Sequence, residues 1–329
     1  MTTHRRAFLG AALIASSLGA FALPAHAAEW PEQKPISYVV PFTVGGSTDV
    51  VGRLLAQKLA QSLKQNVIVE NKPGAAGGIG ASYVANAAPD GYTLFGGTIS
   101  THAINASLYK NLRYDPVKDF EPVSLIATLP NVLLVDPNLG VNSVADLVAL
   151  LKRDPSKRTF ASSGAGTSTH LAGELFAEAI GVPLTHIPYK GTPPAMVDVS
   201  SGAVTFMFDQ MTAALPLLQG GKLKLLAVTT KDRTKLSPDT PTMQEAGVDG
   251  FEMASWQAVY APKGTPKPIV DRLAKEIAII VKEPDVQEKL GVTMGMELVG
   301  SSPEQLRDLM AKEIPRWAEV VKKSGASVD

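Results

Sequence analysis

The sequence has 329 residues, no cysteine, 45% hydrophobic residues, and 31 Lys and Arg balanced by 31 Asp and Glu. The lack of cysteine excludes disulfides, thiolate metal sites and cysteine nucleophiles. The even charge balance, without a basic block, argues against a nucleic-acid or anionic-membrane surface. A chain of this length is typical of about two domains.

The first 27 residues have the pattern of an export signal. Arg5 and Arg6 precede an alanine-rich apolar stretch that ends at Ala25-His26-Ala27, a small-residue cleavage site. The arginine pair with Phe8 and Leu9 resembles a twin-arginine signal, but the glycine that follows leaves the general secretory route open. An uncleaved anchor is the weaker alternative, because a bilayer span needs ~20 strongly apolar residues. We predict a signal peptide over residues 1–27 and a periplasmic location for the mature chain.

Short β-branched or apolar runs alternate with helix-periodic segments along the rest of the chain. This alternation predicts an α/β fold, and runs of this length, bounded by Gly, Pro and Asn, are typical of buried parallel strands. A helix is predicted over residues 49–63, where apolar residues recur at helical spacing. Thr192 and Ser302 are predicted N-caps, and Ser302 forms a capping box with Gln305. The predicted strands are 36–40, 67–70, 93–95, 132–135, 159–161, 185–187, 204–208 and 223–228.

Two glycine-rich loops each connect a predicted strand to the start of a helix. The first covers residues 41–49 and the second residues 162–170. Glycines let the backbone approach a ligand closely, and the first turn of a helix presents unpaired N–H groups with roughly +0.5 of a charge. Such a terminus binds a carboxylate or a phosphate without an arginine. Each loop on its own is equally consistent with a plain turn, but two loops with the same pattern favour an anion held from both sides.

The sequence lacks the motifs of nucleotide chemistry and of serine hydrolysis. Gly164-x-Gly166 has Thr169 where the dinucleotide fingerprint needs a third glycine. Neither loop contains the G-x-x-x-x-G-K-[ST] phosphate cradle, and no G-x-S-x-G elbow is present. His170 and Glu174 have helical i,i+4 spacing, but a metal site needs three or four ligands. We therefore predict no metal and no cofactor.

Short motifs along the mature chain carry a resemblance to a known family. Val40-Pro41-Phe42 precedes Gly45-Gly46-Ser47-Thr48-Asp49, and Val69-Glu70-Asn71-Lys72-Pro73-Gly74-Ala75-Ala76-Gly77 follows. Further matches, in the same order along the chain, lie at 89–94, 114–120, 163–172, 186–191, 206–209 and 261–266. These motifs resemble the Bug-type periplasmic solute-binding proteins, the extracytoplasmic receptors of tripartite tricarboxylate transporters. The resemblance covers essentially the whole mature chain.

The resemblance implies a two-lobed α/β architecture, the type II periplasmic-binding-protein fold. Mixed sheets flanked by helices would form the lobes, with a ligand cleft between them. One lobe would be discontinuous and comprise residues 28–127 plus 255–329, and the other would comprise residues 128–254. The chain has no Ser/Gly-rich linker, which favours crossings through extended segments near 127–131 and 255–260. Because the cleft must open and close, we expect a monomer.

The resemblance also implies which residues meet the ligand. In relatives of this kind the two loops hold a ligand carboxylate through backbone N–H groups, small hydroxyls and bridging water. Asp49 is expected to order its helix, since an acid in the first turn is favourable. The ligand residues carried over by position are Phe42, Thr43, Gly45, Gly46 and Ser47, with Ser163, Gly164, Gly166, Thr167 and Ser168.

Six further residues are candidates for the pocket. Tyr189 is expected to line it. Asp209 is expected either to accept a hydrogen bond from the ligand or to cap the helix that follows it. Trp256 is expected either to pack on the ligand or to brace the hinge. The remaining candidates are Thr98, His102 and His170.

The function that the resemblance implies is capture and delivery without catalysis. The protein would bind a carboxylated organic solute and pass it to the permease subunits of a tripartite tricarboxylate transporter. A sensor that signals to a membrane kinase is one alternative. A serine hydrolase that uses Ser163 or Ser168 with His170 is another, weaker one. Dicarboxylates, tricarboxylates, aromatic carboxylates, amino acids and small amides all fit a site of this kind.

Overall fold

Ten strands of the described chain form one curled, mixed sheet. The computed structural model describes residues 29–324, 326 and 328, so the predicted signal peptide lies outside the described residues. The strands are β1 (Ile36–Val40), β2 (Val67–Asn71), β3 (Thr93–Thr98), β4 (Phe120–Val135), β5 (Thr159–Ser162), β6 (Thr185–Pro188), β7 (Phe206–Gln210), β8 (Lys224–Val228), β9 (Ala254–Pro262) and β10 (Glu297–Leu298). All eight predicted strands overlap one of these. The first part of β4, together with β9 and β10, was not predicted.

The strand order is β2-β1-β3-β9-β4-β7-β5-β6, with β8 and β10 also paired to β4. β1 is parallel to β2 and β3, and β5 is parallel to β6 and β7. In contrast, β4 is antiparallel to β7, β8, β9 and β10, and β9 is antiparallel to β3. The mixed sheet that the resemblance implied is confirmed. Of the eight apolar runs predicted as parallel strands, six lie in parallel pairs, whereas residues 132–135 in β4 and 223–228 in β8 pair antiparallel. β9 returns from late in the chain to lie between β3 and β4, and a local apolar pattern does not encode the direction of such a partner.

β4 connects the two lobes of the fold. Its residues 120–130 pair with β9, whereas residues 131–135 pair with β7 and β8. The strand thus leaves one group of neighbours and enters the other without a break. Both crossing segments proposed from the sequence are extended, because one lies within β4 and the other within β9. The exact lobe boundaries at 127/128 and 254/255 stay a prediction.

Helices flank the sheet. They are α1 (Ser47–Leu63), α2 (Gly78–Ala85), α3 (Asn105–Leu108), α4 (Val144–Arg153), α5 (Ser168–Ile180), α6 (Thr192–Ser200), α7 (Met211–Gln219), α8 (Lys267–Ile280), α9 (Pro284–Val286) and α10 (Pro303–Ser324). The capping box is confirmed, because the Ser302 and Gln305 side chains each accept the other's backbone N–H. Thr192 is not an N-cap, since α6 begins at this residue and Gly191 precedes it without a side-chain cap. None of the helices in the described part is long and apolar enough to cross a membrane.

Burial of one face of α1 fixes the helix start at the site. Leu55 and Leu59 pack with Tyr38 and Val40 of β1 in one apolar cluster. Full burial of each leucine side chain stabilises the fold by about 1.5–3 kcal/mol. Gly52 permits this close packing, because a Cβ atom there would lie 2.9 Å from Val40 Cγ2. The N-terminus of α1 is therefore held rigidly at the edge of the sheet where β1 ends.

Candidate functional site

A cavity lies where the two glycine-rich loops meet. It encloses about 460 Å³ of space between atoms, including its opening to solvent. The described lining consists of hydroxyl, amide, glycine and apolar residues, with no Asp, Glu, Lys, Arg or His among them. A ligand in this cavity would therefore be held by neutral polar groups and by the backbone.

The N-terminus of α1 forms one wall of the cavity. Gly46, the N-cap, has extended backbone angles (φ −75°, ψ 166°) and supplies no side-chain cap. The first N–H groups of a helix have no acceptor within the helix, so a group in the cavity can accept from them. Ser47 and Thr48 of this first turn line the cavity.

Asp49 orders the loop in front of α1. It is 2% exposed, and its carboxylate accepts the Gly45 N–H over 3.0 Å and the Asn71 side-chain N–H over 2.8 Å. Arg53 Nε also donates to it over 3.0 Å. Burial opposes ionisation, but these hydrogen bonds and the Arg53 charge hold the pKa of Asp49 below its usual value. The Gly45 amide is thus bound to Asp49, and Arg53 balances the negative charge beside the cavity.

The second loop joins β5 to α5 and is tied together by its own hydroxyl groups. Thr167 caps α5 by accepting the His170 N–H, and its hydroxyl donates to the Gly164 carbonyl over 2.7 Å. Ser163 donates its N–H to Thr169 Oγ1 over 2.9 Å. Two positive φ angles, 143° at Gly164 and 86° at position 166, give the loop its shape. Glycine adopts such angles without strain.

A third helix N-terminus also reaches the cavity. α6 begins at Thr192, which lines the cavity, and its N-cap Gly191 supplies no side-chain hydrogen bond. α4, which is remote from the cavity, has a conventional cap in which Ser143 accepts the Asp146 N–H. The N-termini of α1, α5 and α6 therefore converge on one cavity, and each carries partial positive charge.

Polar contacts join the two lobes across the cavity. Ser47 Oγ donates to Gln210 Oε1 over 3.0 Å, and the Gln210 amide donates to Ser255 Oγ over 3.2 Å. The Ser168 N–H, at the start of α5, donates to Ser100 Oγ over 3.1 Å. Hydroxyl and amide groups from both lobes thus contact each other directly around the cavity.

Two glycines allow the lobes to approach closely. A Cβ atom at Gly191 would lie 2.0 Å from Thr43 Oγ1, and one at Gly166 would lie 2.9 Å from Leu108 Cδ2. Cβ atoms essentially never come that close to a neighbour, so only glycine fits at these two contact points. The Thr43 hydroxyl itself is buried and has no hydrogen-bond partner in the described part of the chain.

Several predicted site residues lie behind the cavity and not in its lining. His102 is fully buried, stacks on Tyr260 with ring centroids 3.7 Å apart, and its pKa is lowered to about 3 by burial. Tyr189 donates its hydroxyl to Asp198 over 2.5 Å. Burial, with a smaller contribution from Asp198, raises the pKa of Tyr189 to about 12. His102 also pairs through Nδ1 with Thr101 Oγ1 over 2.9 Å, whereas its Nε2 has no partner among the described residues.

Asp209 is a fully buried acid next to the cavity. Its Oδ1 accepts the Gln210 N–H over 2.7 Å, whereas Oδ2 has no partner among the described residues. Burial raises the pKa of Asp209 to about 7, although hydrogen bonds from Thr192 and from the Gln210 backbone act in the opposite direction. Thr192 and Gln210 line the cavity, and Asp209 supports them from behind.

Trp256 belongs both to the cavity and to the core. It is 4% exposed and lines the cavity. Its indole N–H donates to Glu313 Oε2 of α10 over 3.2 Å, and Trp317 donates to the same oxygen over 3.0 Å. Trp256 is therefore anchored by α10 and presents its remaining surface to the cavity.

The structure brings about half of the predicted site residues into the cavity. Those that line it are Phe42, Thr43, Gly46, Ser47, Thr98, Ser163, Ser168 and Trp256. Those that shape or support it from outside the lining are Gly45, His102, Gly164, Gly166, Thr167, His170, Tyr189 and Asp209. The lining residues that the sequence did not indicate are Thr48, Ile99, Ser100, Thr192, Gln210, Ser255 and Gln257. A search for hydroxyl or amide side chains directly after strand ends and at proline-marked helix starts would have found Thr192 and Gln210.

Residues 51–326 match the family described as tripartite tricarboxylate transporter family receptor (TctC). The chain belongs to this family. The match covers most of the described chain and includes the second glycine-rich loop with the start of α5, whereas the first loop lies just before the matched residues. The recognition as a Bug-type receptor is confirmed.

Three solved structures show how closely the receptor fold is shared. Rpa4515 of R. palustris, solved with adipate, is 40% identical with a TM-score of 0.88, covering 91% of this chain and 99% of its own. The periplasmic binding protein BugD is 40% identical with a TM-score of 0.86, and the match covers 90% of this chain and 99% of BugD. MatC of Rhodopseudomonas palustris, solved with bound malate, is 34% identical with a TM-score of 0.84, covering 88% and 99%. The two-lobed periplasmic-binding-protein fold is thereby confirmed for this receptor.

The hydrolase alternative has no support in the receptor's geometry. His170 accepts the Gly166 N–H at Nδ1 and faces Glu174 with Nε2, so neither nitrogen is available to a serine. Ser163 Oγ pairs with Thr169 instead. The family and its solved neighbours are receptors and not enzymes. Within the described ranges no group of His, Cys, Asp and Glu residues could hold a metal ion.

Proposed function

We propose that this receptor captures a carboxylated small organic solute in the periplasm and delivers it to the membrane subunits of a tripartite tricarboxylate transporter. The observation that carries the proposal is the convergence of three helix N-termini on a cavity whose described lining has no charged side chain. Two relatives of the same fold were solved with the dicarboxylates adipate and malate. A dicarboxylate is therefore the favoured ligand class.

The physical basis is anion binding by the backbone. Each helix N-terminus carries roughly +0.5 of a charge. Unpaired N–H groups are offered mainly by α1, because Pro193 and Pro194 of α6 have no N–H and the Ser168 N–H of α5 already donates to Ser100. The hydroxyl groups of Ser47, Thr192 and Ser255 can turn to donate to a carboxylate, directly or through water. No arginine has to be desolvated, which keeps the contacts directional and the ligand releasable. Because these donors come from both lobes, a bound carboxylate favours the closed arrangement over an open one.

A thermal-shift screen of the purified protein with monocarboxylates, dicarboxylates and tricarboxylates tests the proposal. A ligand that binds only the folded state stabilises it by about 2.7 kcal/mol at a hundredfold excess over its dissociation constant. We expect the largest shift among dicarboxylates such as adipate and malate. If no carboxylate raises the melting temperature of ligand-free protein, the proposal is wrong.

A pair of matched glycine variants locates the binding. In Gly46→Ala the new methyl group would meet only the Thr43 carbonyl, at 3.6 Å, and it would enter the cavity. In the control Gly78→Ala the methyl group would meet Ala75 and Tyr114 at 3.6 and 3.7 Å, far from the cavity. Both glycines have ordinary φ angles, so both variants should fold. We expect Gly46→Ala alone to reduce the ligand-induced shift.

Delivery and location are supported by the export-signal pattern and by the periplasmic assignment of BugD. Cell fractionation tests the location, and ligand uptake in cells that lack this protein tests the delivery. We expect the protein in the periplasmic fraction and a loss of uptake that the intact gene restores. Recovery of the protein from the cytoplasm, or unchanged uptake, would argue for a different role.

A further inference from the structure

The second loop of the site is supported by two stacked histidines that do not line the cavity. The rings of His170 on α5 and His186 on β6 have centroids 3.9 Å apart and planes inclined by 20°. Phe160 of β5 is stacked on both rings. His170 is buried and His186 is partly buried. The pair therefore forms part of the packed layer directly beneath the loop.

His170 holds the loop as a hydrogen-bond acceptor. The Gly166 N–H donates to His170 Nδ1 over 3.2 Å, so this nitrogen carries no proton. The proton of the neutral ring is then on Nε2, which lies 3.3 Å from Glu174 Oε1. This arrangement exists only for the neutral imidazole, because a proton on Nδ1 would place two donors opposite each other.

His186 supports the same loop through Ser162. Its Nε2 lies 2.6 Å from Ser162 Oγ, and this hydroxyl accepts the Gly164 N–H over 3.1 Å. The two rings thus control two backbone amides on either side of residue 165. Ser163, which lines the cavity, lies next to Gly164 in this short segment.

The surroundings decide which ring can accept a proton. The titratable groups that face His170 are Glu174 on its own helix and His186 on β6, and Phe160 of β5 is uncharged. Burial, together with the neighbouring His170, lowers the pKa of His186 to about 3. Of the two rings, His170 is the one that faces a carboxylate, with its Nε2 3.3 Å from Glu174 Oε1.

We propose that His170 is a positioning residue of the ligand site: its unprotonated Nδ1 fixes the second loop, and a proton there releases the loop and weakens ligand binding. This inference rests on the proposed function of carboxylate capture. Loss of the Gly166 bond also affects the lobe contact, because Gly166 lies directly against Leu108 of the other lobe. The site then binds tightly at neutral pH and more weakly in acid.

Calorimetric titration of the full protein with adipate, between about pH 8 and about pH 5 where histidine titrates, tests this role. His170→Asn keeps an acceptor oxygen near the position of Nδ1 but does not titrate, and His170→Leu removes the acceptor. Loss of one hydrogen bond corresponds to up to ~10-fold in affinity. We expect the wild type to weaken up to ~10-fold more than His170→Asn on acidification. His170→Leu should bind weakly at every pH. The ionisation of adipate is the same for all three proteins, so the differences report on the protein.

Nuclear magnetic resonance of the same protein provides a readout that needs no ligand. The Gly166 amide resonance should shift as His170 titrates, and the imidazole nitrogens should show the Nε2–H tautomer at neutral pH. If adipate fails to bind but these signals appear, the positioning role stands and the proposed ligand class fails. The positioning role is overturned if the Gly166 amide resonance does not shift on acidification. It is also overturned if ligand binding by His170→Asn shows the same pH dependence as binding by the wild type. If His170→Leu fails to fold, the Gly166 resonance and the pH dependence of His170→Asn still test the positioning role.

Discussion

Replacement of Asp209 by asparagine should stabilise the protein at neutral pH. The carboxyl group is 0% exposed, and its Oδ2 has no partner among the described residues. Burial raises the pKa of Asp209 from 3.8 to about 7, against the opposing hydrogen bonds from Thr192 and the Gln210 backbone. A buried acid with a raised pKa favours the protonated form, so the folded protein holds its proton more tightly than the unfolded chain does.

The sign and size of the effect follow from proton linkage. Below about pH 4 the carboxyl group is protonated in both states, and it contributes no pH dependence. Between about pH 4 and about pH 7 only the unfolded chain releases the proton, so stability falls as pH rises. Above about pH 7 the free energy of unfolding falls no further. A pKa difference of roughly 3 between the two states, at 1.36 kcal/mol per unit, gives a total loss of stability of about 4 kcal/mol. Asparagine avoids this loss but leaves a buried amide unpaired, which costs about 1–3 kcal/mol.

We therefore expect Asp209→Asn to be about 2 kcal/mol more stable than the wild type at pH 8, by the same linkage and hydrogen-bond magnitudes. The advantage should shrink as the pH falls and become a deficit of about 2 kcal/mol by about pH 4, where only the cost of the unpaired amide remains. Urea denaturation of both proteins at a series of pH values measures the difference. Asp249→Asn is the matched control, because Asp249 is exposed, and it should follow the wild type throughout. A difference between Asp209→Asn and the wild type that does not change with pH would refute the reasoning.

Two further variants test the supports of the cavity. Glu313→Ala removes the shared acceptor of the Trp256 and Trp317 indole groups, and urea denaturation should show a loss of about 3 kcal/mol. Glu313→Gln, which keeps an acceptor, should lose much less, and equal losses would contradict this role. Asp49→Asn removes the charge that Arg53 contacts, and it should lose about 1 kcal/mol at neutral pH, because the Arg53 side chain of this pair is half exposed. Because hydrogen bonds lower the pKa of Asp49 despite its burial, this loss should fade as acid protonates the wild-type carboxylate; a loss that persists in acid would point to a purely steric cause.

The local elements of the fold could be predicted from the sequence because they depend on local patterns. The apolar run of β1 and the helical spacing of α1 identify their elements within two residues. β9 lies between β3 and β4, and its position is set by partners more than a hundred residues away. A local sequence pattern does not reveal such pairing. For this reason β9 was predicted only as an extended crossing near 255–260, and the antiparallel pairing of β4 and β8 was not predicted.

The residues of the site also fall into those that a local sequence pattern predicts and those that it does not. Gly46, Ser47, Ser163 and Ser168 were predictable because a glycine-rich turn before a helix has a recognisable composition. Thr192 was interpreted as a cap, but α6 begins at Thr192 itself, one residue earlier than that assignment requires, and the Thr192 side chain lines the cavity.

The residues contributed by the opposite wall were harder to predict. Ser100, Ser255 and Gln257 are ordinary polar residues in a π-helical turn and in β9. They reach the cavity only because the long strands β4 and β9 bring the two lobes together. Gly166 was predicted to meet the ligand but does not line the cavity, because its amide donates to His170. Composition alone does not reveal such a donor's direction.

The central claim is that backbone and hydroxyl donors hold a carboxylate in a cavity without charged side chains. The most direct measurement is calorimetric titration with the tightest dicarboxylate of the screen and with its neutral diamide of the same length. The two ligands share shape and chain length and differ in charge. We predict that the dicarboxylate binds at least ~100-fold more tightly, corresponding to ~2.7 kcal/mol for two carboxylates at helix N-termini. Equal affinity for the diamide would contradict the account.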